Sequence, residues 1–145
     1  MLKHDGRTVG FTASAFDLLH AGHVLMLAEA KNHCDYLIVA LQSDPTIDRP
    51  EKNRPIQSMT ERWLQLEAVK HIDEIIPYDT EDDLLVLLQS IHPDVRILGD
   101  DYISKDFTGK QWCIDHGVEL IYANREHKYS STTLRQKIHK AEQSK

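Results

Sequence analysis

Glycine-rich phosphate signatures are missing from this sequence. There is no Walker A run and no GxGxxG, so the usual ATPase and dinucleotide fingerprints are excluded. Cysteine is scarce: Cys34 and Cys113 stand far apart and form no CxxC pair. One disulfide is arithmetically possible, but a reduced, cytoplasmic chain is the expectation. No apolar run approaches the roughly 20 residues a membrane span requires, and Met1–Arg7 is polar rather than signal-like, so no membrane partner is expected. Positive charge is in deficit, with 17 Lys and Arg against 23 Asp and Glu and a net charge of −6. A protein that grips duplex phosphates normally presents a basic surface, which argues against a nucleic-acid partner. No internal repeat, linker or low-complexity stretch is visible.

What is present is an ordinary globular balance, 41% hydrophobic and 28% charged, in 145 residues, which suits one domain over 1–145. Short apolar runs predict strands at 7–12, 36–41, 74–78, 95–98 and 118–122. Helical spacing predicts helices at 20–31, 60–69, 82–91, 108–116 and 131–140, with Pro93 stopping the third and Gly117 closing the fourth. The uninterrupted run Tyr36–Leu41 is that of a strand covered on both faces. Strict β-α alternation implies an α/β fold: a Rossmann-like single domain with a five-stranded parallel sheet and helices on both faces. Ligands in such sheets sit beyond the C-terminal strand ends, so the residues following each strand carry the functional argument.

After the first strand comes Ser14-Ala15-Phe16-Asp17-Leu18-Leu19-His20-Ala21-Gly22-His23. His20 and His23 are three apart at a helix start, where both rings can share one side of the first turn. The unpaired N–H groups of that turn suit an anion, and Gly22 lets a ligand approach the backbone. Seen alone, such a pair is more often surface histidine or a helix cap. A zinc site needs two further ligands, and none is spaced to supply them. The polar segment Ser43–Gln57, with Pro45, Pro50 and Pro55, carries Arg49, Lys52 and Arg54, and Arg62 and Lys70 follow on the next helix. This stretch reads as a solvated surface or as a mobile basic clamp over a polyphosphate. Asp100 and Asp101 follow the fourth strand, as turn residues or as acceptors for a base amine, a sugar hydroxyl or a metal. After the fifth strand, Arg125 and Lys128 precede the hydroxyl run Ser130-Ser131-Thr132-Thr133 at a helix N-terminus, which reads as an N-cap and a second phosphate cradle.

These residues resemble a known superfamily. FDLLHAGH at residues 16–23 is similar to the HxGH signature of the nucleotidyltransferases, and the serine-threonine run is similar to their ISTT signature. The likeness spans nearly the whole chain, including Glu61-Arg62, residues 71–77 and Gly99-Asp100-Asp101. It is nearest to glycerol-3-phosphate cytidylyltransferases, with heptose-phosphate adenylyltransferase domains and archaeal FAD synthetases as cousins. The resemblance implies transfer of CMP from CTP to a small phosphomonoester, with release of pyrophosphate, Mg²⁺ carried by the triphosphate, and a homodimer. It gives His20, His23, Lys52 and Arg125 catalytic roles. Nucleotide contacts would come from Ala15, Phe16, Gly22, Arg54, Lys70, Asp100, Asp101, Ser131 and Thr132. Ser14 stands where the family usually has glycine, and Leu84 stands near a lysine that contacts the acceptor in glycerol-phosphate enzymes. Alternatives are an adenylyltransferase using ATP on a sugar phosphate, a non-catalytic nucleotide-binding module, and a histidine-rich metal binder.

Overall fold

The apolar run at residues 36–42 is a strand whose alternate side chains enter two different cores. Leu37, Val39 and Leu41 pack with Leu27, Ala30 and Leu66 on one face. Ile38 and Ala40 pack with Phe11, Leu84 and Leu88 on the other. Burial on both sides is why this strand shows no polar alternation, and each such side chain contributes about 1.5–3 kcal/mol by leaving water. A computed structural model describes residues 4–124 and 127–145. Its elements run β1 (Val9–Ser14), α1 (Ala21–Asn32), β2 (Tyr36–Gln42), α2 (Met59–Glu67), β3 (Glu74–Tyr78), α3 (Glu81–Ile91), β4 (Val95–Gly99), α4 (Lys110–Asp115), β5 (Glu119–Ala123) and α5 (Ser131–Gln143). Short 3-10 turns at Pro45–Ile47 and Asp100–Tyr102 follow β2 and β4.

All strand pairs are parallel, and the order is β3-β2-β1-β4-β5. The expected α/β fold, a five-stranded parallel sheet covered by helices, is the one observed. The chain moves outward from β1 through β2 to β3, then returns to the other side of β1 for β4 and β5. The switch point therefore lies between β1 and β4, and a crevice opens beyond their C-terminal ends. Helices α1 and α2 lie over the first core, α3 and α4 over the second. No helix among the described residues is long and apolar enough to cross a membrane.

Some boundaries differ from expectation. The first strand starts at Val9 and continues to Ser14, and the Thr8 N–H ahead of it goes to the Asp35 carboxylate. The fourth helix starts at Lys110 rather than at residue 108. Gly109 before it has φ +81°, and a Cβ there would meet Leu88 Cδ1 at 2.5 Å and Arg96 Nη1 at 3.1 Å.

The N-terminal edge of the sheet is closed by a repeated device. An aspartate precedes each of β2, β3 and β4, and its carboxylate accepts an N–H from another part of the sheet edge. Asp35 takes Thr8 at 2.8 Å, Asp73 takes Leu37 at 2.7 Å, and Asp94 takes Val9 at 2.8 Å. Asp73 also receives Lys31 Nζ at 2.5 Å. Burial pushes the Asp73 carboxyl up, but the bonds from Lys31 and Leu37 outweigh it and hold it below its ordinary value.

Candidate active site

The segment joining β1 to α1 is strained and firmly held. Phe16 (φ 49°) and Leu18 (φ 52°) both sit in the left-handed region, at a cost of about 1–3 kcal/mol each. Arg62, 2% exposed, provides much of the restraint. Its guanidinium donates to the carbonyls of Gln57, Ala15, Gln42 and Ser43 at 3.1, 2.9, 2.6 and 2.6 Å. One side chain thus ties the ends of β1 and β2 to the start of α2. Asp17 supplies the rest. Its carboxylate accepts Ile56 N–H at 2.8 Å, Gln57 N–H at 3.0 Å and Arg135 Nη2 at 2.7 Å. Its carbonyl accepts the Ser131 hydroxyl at 3.1 Å. Burial raises the Asp17 carboxyl, but the two backbone N–H groups and Arg135 more than reverse this and leave it below its ordinary value. The α1 and α5 N-termini are held together through this residue.

His20 is the N-cap of α1, and with His23 it forms a capping box. His20 Nδ1 accepts Gly22 N–H at 3.0 Å, and His23 Nδ1 accepts His20 N–H at 3.2 Å. With both Nδ1 atoms engaged as acceptors, the neutral rings carry their protons on Nε2. The rings stack at 3.9 Å, and Phe16 packs on His23 at 5.4 Å. Capping and cleft-lining therefore coexist in one pair. Gly22 lines the cleft and is also a point of close packing within the chain. A Cβ there would meet the His20 ring at 2.8 Å and the Tyr129 carbonyl at 2.9 Å, so the space is filled by the protein's own chain. Ser14 is not among the residues with left-handed backbone, so a side chain there introduces no strain.

A cleft of about 790 Å³ opens over the C-terminal ends of the strands. It brings together Ala15, His20, Gly22, His23, Lys52, Asp101, Ser131 and Thr132 from the expected set. Others of that set stand elsewhere. Phe16, expected to offer a backbone contact, has its ring in the core at 1% exposure. Arg54 is 84% exposed and lies 3.7 Å from Asp44. Lys70 is exposed in the turn before β3, at the edge opposite the cleft, and Asp100 lies just off the cleft wall in the turn after β4. Arg125 falls outside the described residues. The basic loop is tied to the rest of the chain at two points: Arg49 donates to Gln42 Oε1 at 3.0 Å, and Asp48 accepts Glu81 N–H at 2.8 Å. Arg62, expected to join that loop's charge, is buried as the staple described above.

The N-termini of α1 and α5 both reach the cleft, and neither helix has an acidic residue in its first turn. Two partial positive charges thus reach the same cleft that the two imidazoles line, an arrangement suited to a polyanion. Comparison with known proteins agrees with this geometry. Residues 11–137 match the family model described as cytidylyltransferase-like.

The chain belongs to the cytidylyltransferase-like family of nucleotidyltransferases.

Among its relatives, the bifunctional protein HldE of Caulobacter sp. strain K31 is 37% identical over 130 residues, 89% of this chain and 26% of that protein. HldE of Gluconacetobacter diazotrophicus is 36% identical over 90% of this chain and 27% of its own length. This cytidylyltransferase-like chain thus spans about a quarter of the curated relatives it matches. In structure it is similar to a lipopolysaccharide core biosynthesis protein from Thermoplasma volcanium, with a TM-score of 0.65 and 25% identity over 82% of this chain and 96% of that one. Pantoate-β-alanine ligase from Francisella tularensis shares the fold, with a TM-score of 0.60 and 19% identity over 90% of this chain and 69% of the other.

The cytidylyltransferase-like cleft has a second polar wall that sequence reasoning did not single out. Gln42, Tyr78, Glu81, Arg96 and Thr108 line it on the α3 side of the sheet. Arg96 is 4% exposed, donates to the Thr108 carbonyl and lies 4.9 Å over the Phe107 ring. Burial lowers the Arg96 guanidinium and raises the Tyr78 phenol well above its ordinary range. Arg96 interrupts an otherwise apolar strand, Val95–Gly99, and that interruption was the available signal.

Proposed function

We propose that this chain catalyses nucleotidyl transfer from a nucleoside triphosphate to a phosphomonoester, releasing pyrophosphate, with ATP and a sugar phosphate as the preferred pair. The observation that carries the reading is the convergence of the His20–His23 pair and the α5 N-terminus on one cleft. A phosphomonoester near neutral pH is largely dianionic and already nucleophilic, so no general base is required. One of its oxygens bonds to the α-phosphorus while the bond from that phosphorus to the bridging oxygen breaks. Pyrophosphate leaves with the electron pair. The obstacle is charge, and fixed donors aimed at the triphosphate answer it. His20 and His23 would donate from Nε2 to the oxygens that gain charge. Thr132 and the α5 N-terminus would hold the far phosphates, with Lys52 above them.

Mg²⁺ would arrive with the triphosphate and neutralise part of its charge. Hard divalent cations of this size keep phosphate and water ligands, and the acidic groups among the described residues form no metal-holding cluster of their own. ATP and a sugar phosphate are preferred over CTP and glycerol phosphate on two grounds. The matched relatives are HldE proteins, which favours the adenylyltransferase alternative. The second is Leu84, which is 3% exposed and forms apolar cleft wall where glycerol-phosphate enzymes are expected to carry lysine.

Pyrophosphate release with ATP or CTP against a panel of phosphomonoesters tests the reading. Turnover is expected with ATP and a sugar phosphate. Nucleotide binding without turnover on any acceptor would instead make this a non-catalytic nucleotide-binding module.

A further inference from the structure

Arg49 and Glu81 lie side by side on one wall of the cleft, one from the loop after β2 and the other from the first turn of α3, and they are poorly matched. Arg49 Nη2 stands 3.6 Å from Glu81 Oε2, too far for a hydrogen bond. Glu81 Oε2 and Arg49 Nε are both buried without a hydrogen-bond partner. Their neighbouring atoms are engaged, since Glu81 Oε1 accepts from Thr108 Oγ1 at 3.0 Å and Arg49 Nη2 donates to Gln42 Oε1 at 3.0 Å. A buried acceptor close to a buried donor, with neither satisfied, calls for an explanation. Both side chains belong to the cleft wall, on the α3 face of the sheet, whereas the histidine pair lies on the α1 face. The nucleotide-facing and the Arg49–Glu81 regions are thus two walls of one cavity.

Resting on the transfer reading above, we propose that Arg49 and Glu81 are the residues that select the acceptor, by reading two adjacent hydroxyls of the sugar phosphate. A hydroxyl both donates and accepts. With a small rotation of the two side chains, one hydroxyl donates to Glu81 Oε2 and its neighbour accepts from Arg49 Nε. A diol satisfies both orphan atoms together. An acceptor without hydroxyls satisfies neither, which is how a site built for hydrogen bonding rejects the analogue that lacks the group. Leu84, three residues along α3, gives the diol's carbon skeleton an apolar wall. The bland account, an ion pair that merely tethers the loop to α3, leaves the two unsatisfied atoms unexplained.

The test is steady-state pyrophosphate release by the whole chain with ATP and with CTP. The acceptor probes are ribose 5-phosphate, mannose 1-phosphate and glycerol 3-phosphate, with ethyl phosphate as the probe lacking hydroxyls. Glu81→Gln keeps the shape and the Thr108 contact but puts a donor where the orphan acceptor stood. It is expected to raise the KM of the best diol probe by about 10- to 100-fold while leaving the nucleotide KM unchanged. Arg49→Gln, at a separate position in the loop, is expected to do the same. A merely structural pair would instead move nucleotide KM and thermal stability along with acceptor KM, and that outcome overturns the assignment. So does equal use of ethyl phosphate and the diols by the unmodified chain, with transfer itself intact. Absence of pyrophosphate with every probe and both nucleotides removes the transfer reading, and this assignment falls with it.

Discussion

His23 and Arg62 show how differently two polar residues serve one site. The His23 ring is fixed through Nδ1 by the His20 N–H, so its Nε2–H is oriented before any ligand arrives. Losing one preorganised donor of this kind costs on the order of 10²–10³ in turnover. His23→Ala is accordingly expected to lower kcat by that factor in the pyrophosphate assay, and ordinary turnover by the variant would remove His23 from the mechanism. Arg62 does not itself line the cleft, yet it donates to four carbonyls, two of them on the cleft residues Ala15 and Gln42. Arg62→Ala strands those acceptors in a buried space and is expected to destabilise the chain by about 3–5 kcal/mol in urea unfolding. A loss near zero would mean that water or a neighbouring side chain replaces the guanidinium.

At the scale of elements, α5 is the least embedded helix. It buries no side chain fully, and its N-terminus is held by the Ser131 hydroxyl and the Arg135–Asp17 ion pair. Asp17 has its carboxyl held below the ordinary 3.8 when folded. The unfolded chain therefore binds a proton there at a higher pH than the native chain does, and native stability falls with it. The contribution is whole above the ordinary value and is lost as pH drops through the lowered native one. Urea unfolding across acidic pH is expected to show this loss, and Arg135→Ala is expected to flatten it. An identical profile in the variant would refute the coupling.

The strand-helix alternation was readable because apolar runs of strand length and helical spacing are local properties of the chain. The HxGH turn was readable too, and its i,i+3 histidines already carried the spacing of a capping box. What local pattern could not give was direction. Arg62 looked like surface charge because only the fold brings four carbonyls to its guanidinium. That a side chain at Gly22 would collide with the His20 ring and the Tyr129 carbonyl likewise emerges only from the fold. The aspartates before β2, β3 and β4 were visible as a repeated placement, but their partners lie elsewhere along the sheet edge and emerge only from strand order.

For the whole molecule, two helix N-termini and two imidazoles converging on one cavity form a site that a polyanion should stabilise. A ligand that binds only the folded chain adds about 2.7 kcal/mol at a hundredfold excess over its Kd. ATP with Mg²⁺ is expected to raise Tm by several degrees, with smaller shifts for AMP, which has fewer phosphates to bridge the α1 and α5 termini. Equal shifts for ATP and AMP in thermal melts would place the binding energy in the nucleoside instead.

The aspartate-closed edge has a consequence for how this fold accommodates change. A carboxylate one residue ahead of a strand meets its amide only if the chain length there is fixed, so a single residue inserted before β2, β3 or β4 misaligns the contact. At the far end the β1–α1 connection is held just as closely by Arg62 and Asp17, so it too resists an inserted residue. Changes of chain length are therefore best borne in stretches that neither an edge aspartate nor the Arg62 staple pins down.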